Sequence, residues 1–348
     1  MNNNNDNGCD DNSKPSIQHV DIVCGLAWGD EAKGKITSEL VQNGAYQFVC
    51  RWAGGNNAGH TVFVKDKRYK THSIPCGVFH NIPSIIGPGC VVHTPSFLRE
   101  IEYLTACGFD TSCVKISPRA HVITESHVQY DQNKLHGTLG TTGRGISPCY
   151  SDKALKRGIL CKDEPLLKDF MWDEQLYGNI LCEGAQGFWL DIDKGNYPYN
   201  TSSTTIPYAA CSLGFPPQYI RRIYGAAKIY DTRSGHDPDF PETLLEDPLL
   251  SKIIDDGKEY GVTTGRKRKV NWLNMDKLLQ AIQISGSTHI IVSKVDVLQN
   301  IGIFKIYKDD TLHTFETYEQ MQCYIAYDIQ SSCKLVENVV FSASPCHI

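Results

Sequence analysis

A chain of 348 residues with 41% hydrophobic and 21% charged residues has the make-up of an ordinary soluble globular protein, large enough for one big α/β domain or two smaller ones. A net charge of -5 lacks the basic excess of a nucleic-acid binder, so no nucleic acid is expected and a nucleotide is the better partner. No apolar run reaches the roughly 18 residues of a membrane span, and the 14 cysteines form no CxxC pair and no zinc-spaced cluster with histidine.

Residues 1–16, MNNNNDNGCDDNSKPS, are polar and low in complexity, and are expected to be a disordered tail that carries no signal or targeting peptide. The thiols are then expected to be reduced and the protein cytoplasmic, with Cys24, Cys90 and Cys182 acting as small hydrophobes inside apolar runs. Residues 17–348 read as a single domain. It begins with the strand HVDIVC, which runs into GLAWGDEAKGKIT at residues 25–37. Glycines there let backbone N–H groups converge on an anion at a helix N-terminus, which predicts a phosphate-binding turn. Gly29, Gly34 and Lys35 keep the GxxxxGK spacing, yet Ile36 stands where a hydroxyl would hold magnesium. Another metal ligand is needed. Asp30 and Glu31 would repel phosphates unless one of them binds a cation or does proton chemistry. A Gly-rich turn with solvated charges is the plain alternative.

The strand YQFVCRW leads into RWAGGNNAGHT, residues 51–61, where Gly54, Gly55 and Gly59 permit close backbone approach to a ligand. His60 is a candidate acid with a pKa near neutrality, to pair with Asp30 as base; a surface histidine is the alternative. After the strand SIIGPGCVV and the helix FLREIEYLTACG comes HGTLGTTGRGISP, which has neither a helical nor a strand period. Its Thr141, Thr142 and Arg144 suit a phosphate, or else the run is a surface loop. The strand NILCEG opens into EGAQG, where Gln186 can address a base edge, and Thr201 follows in YPYNTSS as a phosphate donor. RRIYGAAKIY reads as a strand, and VTTGRKRK, residues 262–269, sets two hydroxyls before four cations, which suits carboxylate and phosphate. WLNMDKLLQAIQIS reads as a helix. THIIVSKVD reads as a strand ending in Lys294 and Asp296, where a carboxylate can take both N–H donors of a guanine edge and so select GTP over ATP. Residues 305–340 are expected to be a terminal strand-and-helix appendage. The alternation predicts an α/β fold, a central mostly parallel sheet flanked by helices and P-loop-NTPase-like.

With GLAWGDEAKGKI, GGNNAGHTV, GTTGRGISP, EGAQGFWLDID, YPYNTSS, TTGRKRK and SKVDVL in this order, the chain resembles the adenylosuccinate synthetase family from about residue 20 to 300. The resemblance implies a ligase that joins IMP and L-aspartate at the expense of GTP, with magnesium, through a 6-phosphoryl-IMP intermediate, and a homodimer. It implies Asp30 as general base and magnesium ligand, His60 as acid, and Lys33 as the stabiliser of the transferring phosphoryl group. Gly59, through its carbonyl, would complete the magnesium shell. IMP would meet Asp30, Glu31, Lys33, Asn57, Ala58, Gly59, His60, Thr142, Lys156, Gln186, Thr201 and Arg266. Aspartate would meet Val262, Thr263, Thr264, Arg266 and Arg268. GTP would meet Gly29 through Lys35 (Asp30, Glu31, Ala32, Lys33 and Gly34 between), then Gly59, His60, Thr61, Arg268, Lys294, Val295, Asp296 and the Ser342, Ala343 and Ser344 segment.

The chain departs from the family in places. Ala32 replaces a glycine in the phosphate loop, which is expected to be tolerated only with a negative φ. Lys156 replaces an arginine that reaches the IMP phosphate of a partner subunit, keeping charge but losing bidentate geometry. The stretches between Tyr150 and Gln186 and after Asp296 are short, so a compact form is expected. A relative acting on another purine nucleotide such as (d)GMP, and a GTP-binding regulator without catalysis, are the alternatives. Asp30 as a ring-deprotonating base favours IMP over the first, and the base and acid together weigh against the second.

Overall fold

The structure, a computed structural model, describes residues 16–65, 67–261, 265–344 and 347–348. The expected tail therefore lies outside the described residues, apart from Ser16. Eight strands form the central sheet in the order Asn338–Ser342, His289–Ser293, Ile220–Lys228, Ile17–Gly25, Gly178–Glu183, Phe48–Arg51, Ser84–Ile86, Val114–Ile116. Every neighbouring pair in it is parallel. Parallel sheets must be covered on both faces, and the apolar runs show how. Val20 and Ile22, Phe48 and Cys50, and Ile180 and Cys182 pack into one core, whereas Val23, Val49 and Leu181 face the opposite one. Strands with both faces covered read as unbroken apolar runs, which is why these segments were legible without alternation.

The first strand, β1 (Ile17–Gly25), lies mid-sheet and hands over through a short loop to helix α1 (Lys33–Asn43). Ile36, the residue in place of a magnesium-binding hydroxyl, is fully buried in the core with Val23, Val41 and Val49. That position faces the sheet. A second sheet, in the order Tyr230–Arg233, Lys269–Asn274, Phe304–Lys308, Thr311–Phe315, packs its strand residues Val270, Trp272, Leu273 and Ile306 into the largest core.

Residues 305–340 are not an appendage. Phe304–Lys308 pairs with the strand Lys269–Asn274, and Asn338–Ser342 is the edge strand of the central sheet, in register with His289–Ser293. Met321, Ile325 and Ile329 of the intervening helix Tyr318–Ser332 are buried in the main core. The segment is integral because its edge strand supplies hydrogen bonds and its helix an apolar face. Cys24, Cys90 and Cys182 are buried, and the described cysteines carry free thiols. No helix of the described residues is long and apolar enough to cross a membrane.

Candidate active site

In a parallel sheet the carboxyl ends of all strands point one way, and loops leaving them meet in one crevice. Gly25, Arg51, Glu183, Lys228, Ser293 and Ser342 end six adjacent strands, and the motif loops follow five of them directly. Together they wall a cleft of about 1020 Å³. Asp30, Lys33, Asn57, Ala58, Gly59, His60, Thr61, Thr142, Gln186, Thr201, Arg266, Arg268, Lys294, Asp296 and Ser344 all line it, with Gly29, Ala32, Gly34 and Lys35 at its phosphate-loop end.

The two loop carboxylates have opposite surroundings. Glu31 is wholly buried, accepts the N–H groups of Ala27 (3.2 Å) and Gly29 (2.7 Å), and pairs with Lys33 Nζ at 2.5 Å. It braces the loop from inside. Asp30 faces the cleft, its side chain 31% exposed, and Oδ2 lies 2.9 Å from Arg268 Nε. That pair is close in charge but out of line for a hydrogen bond, since Arg268 Nε has no acceptor. The loop reaches this shape through left-handed residues: Gly29 (φ 92°), Asp30 (φ 63°) and Ala32 (φ 66°). The expectation of a negative φ at Ala32 is thus overturned. α1 begins directly after it, and the turn into the helix requires the left-handed conformation even with a Cβ present. Gly34 is needed for contact, because a Cβ there would stand 2.8 Å from His60 Cβ.

His60 starts the strand His60–Val64 and is 6% exposed. Its Nδ1 meets Glu183 Oε1, and Glu183 also accepts from Arg51 Nη2 (3.0 Å), Cys76 N–H (2.7 Å) and Cys76 Sγ (3.3 Å). His60, Cys76 and Glu183 converge closely, but the Arg51 guanidinium shares the same carboxylate and supplies its counter-charge. Burial and the Arg51 cation push the His60 pKa down to about 4, against the opposing pull of Glu183. The expected near-neutral value is therefore not what the free protein holds. A ring so placed is uncharged at neutral pH.

A second buried carboxylate organises the cationic wall. Glu259 accepts from Lys228 Nζ (3.2 Å), Tyr230 OH (2.8 Å) and Arg268 Nη1 (2.6 Å). Burial alone would raise its pKa, but Lys228 and Arg268 outweigh it and hold it down to about 2. Arg268 is thereby stretched between Glu259 and Asp30.

Some expected residues lie elsewhere. Glu31 and Ser342 are buried behind the cleft wall, and Val295 packs into the core. Ala343 is exposed and is not among the lining residues. Lys156 is exposed, with a left-handed φ of 63°, and stands outside the cleft. Thr141 donates to Asp131 (2.5 Å) and Arg144 to Asn56 O (3.1 Å), so both hold the loop; Thr141 also lines the cleft, whereas Arg144 is not among the lining residues. Val262, Thr263 and Thr264 lie outside the described residues. Gln186 lines the cleft, and its buried Oε1 has no partner among the described residues. Glu183, Arg51 and Glu259 were not singled out from the sequence. The only signal for Glu183 was a carboxylate closing the apolar run NILC.

A glycine-rich loop at a helix start, a carboxylate and a histidine on the cleft beside it, and a cationic wall at the carboxyl edge of a parallel sheet are the marks of a nucleotide-dependent enzyme. The family model for adenylosuccinate synthetase matches residues 22–178 and 164–328. Curated adenylosuccinate synthetases from Desulforapulum autotrophicum and Candida glabrata are 37% and 36% identical over 343 and 366 aligned residues. Those alignments take in 82% and 85% of this chain and 79% and 84% of the relatives. The fully ligated adenylosuccinate synthetase of Plasmodium falciparum superposes with a TM-score of 0.80 at 26% identity, over 94% of this chain and 98% of that one. A cyanophage S-2L succinoaminodeoxyadenylate synthetase, bound to dGMP and to dATP as energy donor, shares the fold at 19% identity and a TM-score of 0.72, over 94% and 93% of the two chains. The chain belongs to the adenylosuccinate synthetase family, the GDP-forming ligases of IMP and L-aspartate.

Proposed function

We propose that the cleft joins IMP to L-aspartate in two steps, with Asp30 as base and His60 as acid. The observation that carries this reading is the placement of Asp30 and His60 on one cleft beside the phosphate loop. Asp30 takes the purine ring N1 proton, and the six-position oxygen attacks the γ-phosphate of GTP. Phosphorylation turns a poor leaving group into a good one; the aspartate amine then displaces phosphate from carbon six.

His60 serves the leaving GDP. A neutral ring gains a proton when a polyphosphate stands against it, because that charge opposes both burial and Arg51. Lys33 and the loop N–H groups at the start of α1 stabilise charge on the transferring phosphoryl group. Asn57, Thr142, Gln186, Thr201 and Arg266 hold IMP, and Arg266 with Arg268 takes the aspartate carboxylates. Lys294 and Asp296 read guanine.

Magnesium fits the donors present: Asp30 and Gly59 border the same cleft, and a carboxylate and a backbone carbonyl are hard oxygens that suit this ion. When bound it offsets the negative charge of the phosphates. We place Lys156 against the IMP phosphate of a second copy in a homodimer, a reading supported by its position outside its own cleft between the exposed Leu155 and Ile159. Free thiols and the absence, among the described residues, of a spanning helix support a cytoplasmic enzyme.

The test is phosphate release by the purified protein with GTP, omitting IMP or aspartate in turn. Release that depends on both is expected. Release indifferent to both omissions would refute the ligase reading, and release with dGMP in place of IMP would favour the relative that acts on another purine.

A further inference from the structure

By sequence spacing Lys35 occupies the place of a phosphate-binding lysine. Its ammonium points elsewhere. Nζ donates to Ser342 Oγ (2.8 Å), at the end of the edge strand Asn338–Ser342, and to Ser344 O (2.9 Å) and His347 O (3.2 Å) beyond it. Lys35 is 6% exposed, so these are charge-assisted hydrogen bonds sheltered from water. One turn further along α1, on the same face, Glu39 Oε2 accepts the backbone N–H of Ile348 at 2.5 Å. Ile348 also packs beside Leu40 and Val340. Two side chains of one helix face thus hold Ser342, Ser344, His347 and Ile348.

The fastened segment lies next to the proposed base-reading residues. Ser342 is in register with Ser293, the residue before Lys294. Ser344 borders the cleft together with Lys294 and Asp296. Whatever holds the segment in place therefore also sets the position of Ser344 on the cleft wall beside Lys294 and Asp296.

We propose that Lys35 and Glu39 are positioning residues for nucleobase recognition, clamping Ser342, Ser344, His347 and Ile348 so that the backbone at Ser344 presents to the purine six-position of the phosphoryl donor. This rests on the reading of Lys294, Asp296 and residues 342–344 as the guanine side. A guanine carries an acceptor oxygen at that position and an adenine a donor amine, so a displaced segment loses discrimination between the two. Lys35 then acts on the choice of nucleotide through the chain's last residues, while Lys33 serves the phosphates.

The experiment compares kcat/KM for GTP and for ATP in wild type, Lys35→Met and Glu39→Ala, with IMP and aspartate saturating. Loss of charge-assisted bonds predicts a fall in the GTP-to-ATP ratio of about tenfold in Lys35→Met and about threefold in Glu39→Ala, with KM for IMP unchanged. Glu39 is a full turn from the phosphate loop, so its effect on the ratio separates clamping from phosphate binding. If Lys35→Met does not fold, Glu39→Ala carries the test alone. A ratio unchanged in Glu39→Ala, or a Lys35→Met variant that slows GTP and ATP equally, would overturn the proposal. A wild type without preference for GTP would remove the guanine reading itself, a result distinct from a wild-type preference that both variants retain.

Discussion

Replacing Glu183 by Gln tests whether His60 works as the acid through the carboxylate behind it. Glu183 is wholly buried and Arg51 is 2% exposed, so the change strips a buried guanidinium of its counter-charge. Breaking one side of such a pair costs about 3–5 kcal/mol of stability. It also removes the anion that raises the His60 pKa against burial and Arg51. Protonated His60 becomes harder to form, and a general acid is worth roughly 10²–10⁴ in rate, so turnover should fall at least 100-fold. The sign of the pH effect follows. If the reactive complex needs the imidazolium, kcat declines as pH rises through the ring's pKa in that complex, and in Glu183→Gln this decline should move to lower pH. The assay is phosphate release between pH 5.5 and 9, well below the melting temperature of the variant. A purely structural role would lower stability and leave the position of that limb where it is in wild type. Wild-type turnover with an unshifted profile would refute the reasoning.

Asp30→Asn keeps the shape of the loop and removes the base. Turnover should drop by about 10³ while calorimetry still detects GTP binding, and appreciable turnover would count against Asp30. Ala32→Gly relieves a left-handed alanine, worth about 1 kcal/mol, which for a chain of this length raises the melting temperature by only about 1–2 °C. A lowered melting temperature would show that the loop is not strained there. Asp231, buried and accepting from Asn274 N–H at 2.9 Å, has its pKa pushed up to about 7 by burial. Because the folded pKa lies above the unfolded value, stability from this group is full at low pH and is lost as pH rises from about 4 through 7. Asp231→Asn should therefore stabilise the protein by roughly 2–3 kcal/mol more at pH 8 than at pH 5, and equal effects at both would contradict the assignment.

The sheet and the phosphate loop were legible because their signals are local. Strands covered on both faces are written as apolar runs, and glycines with charge after HVDIVC mark the turn at the end of β1. Partner choice is not local. Nothing in NVVFS says that it pairs with HIIVS some fifty residues earlier, so residues 305–340 read as an appendage although they complete the sheet. The site was legible where a residue lines the cleft, as at Asp30, His60 and Asp296. Residues behind the wall gave little signal: Glu183 and Glu259 are single carboxylates whose importance comes from the cations folded around them. The left-handed φ of Ala32 had no residue-type signature at all, since glycine is the usual mark of that conformation. Lys35 matched its motif by spacing, yet its ammonium is drawn to carbonyls more than 300 residues away in sequence.

The central claim is that GTP activates the six-position oxygen of IMP before aspartate enters. IMP labelled with heavy oxygen at that position, incubated with the protein, GTP, magnesium and aspartate, tests it in one mass measurement. The account predicts that each adenylosuccinate formed releases one phosphate carrying the label. Unlabelled phosphate, with product still accumulating, would contradict it.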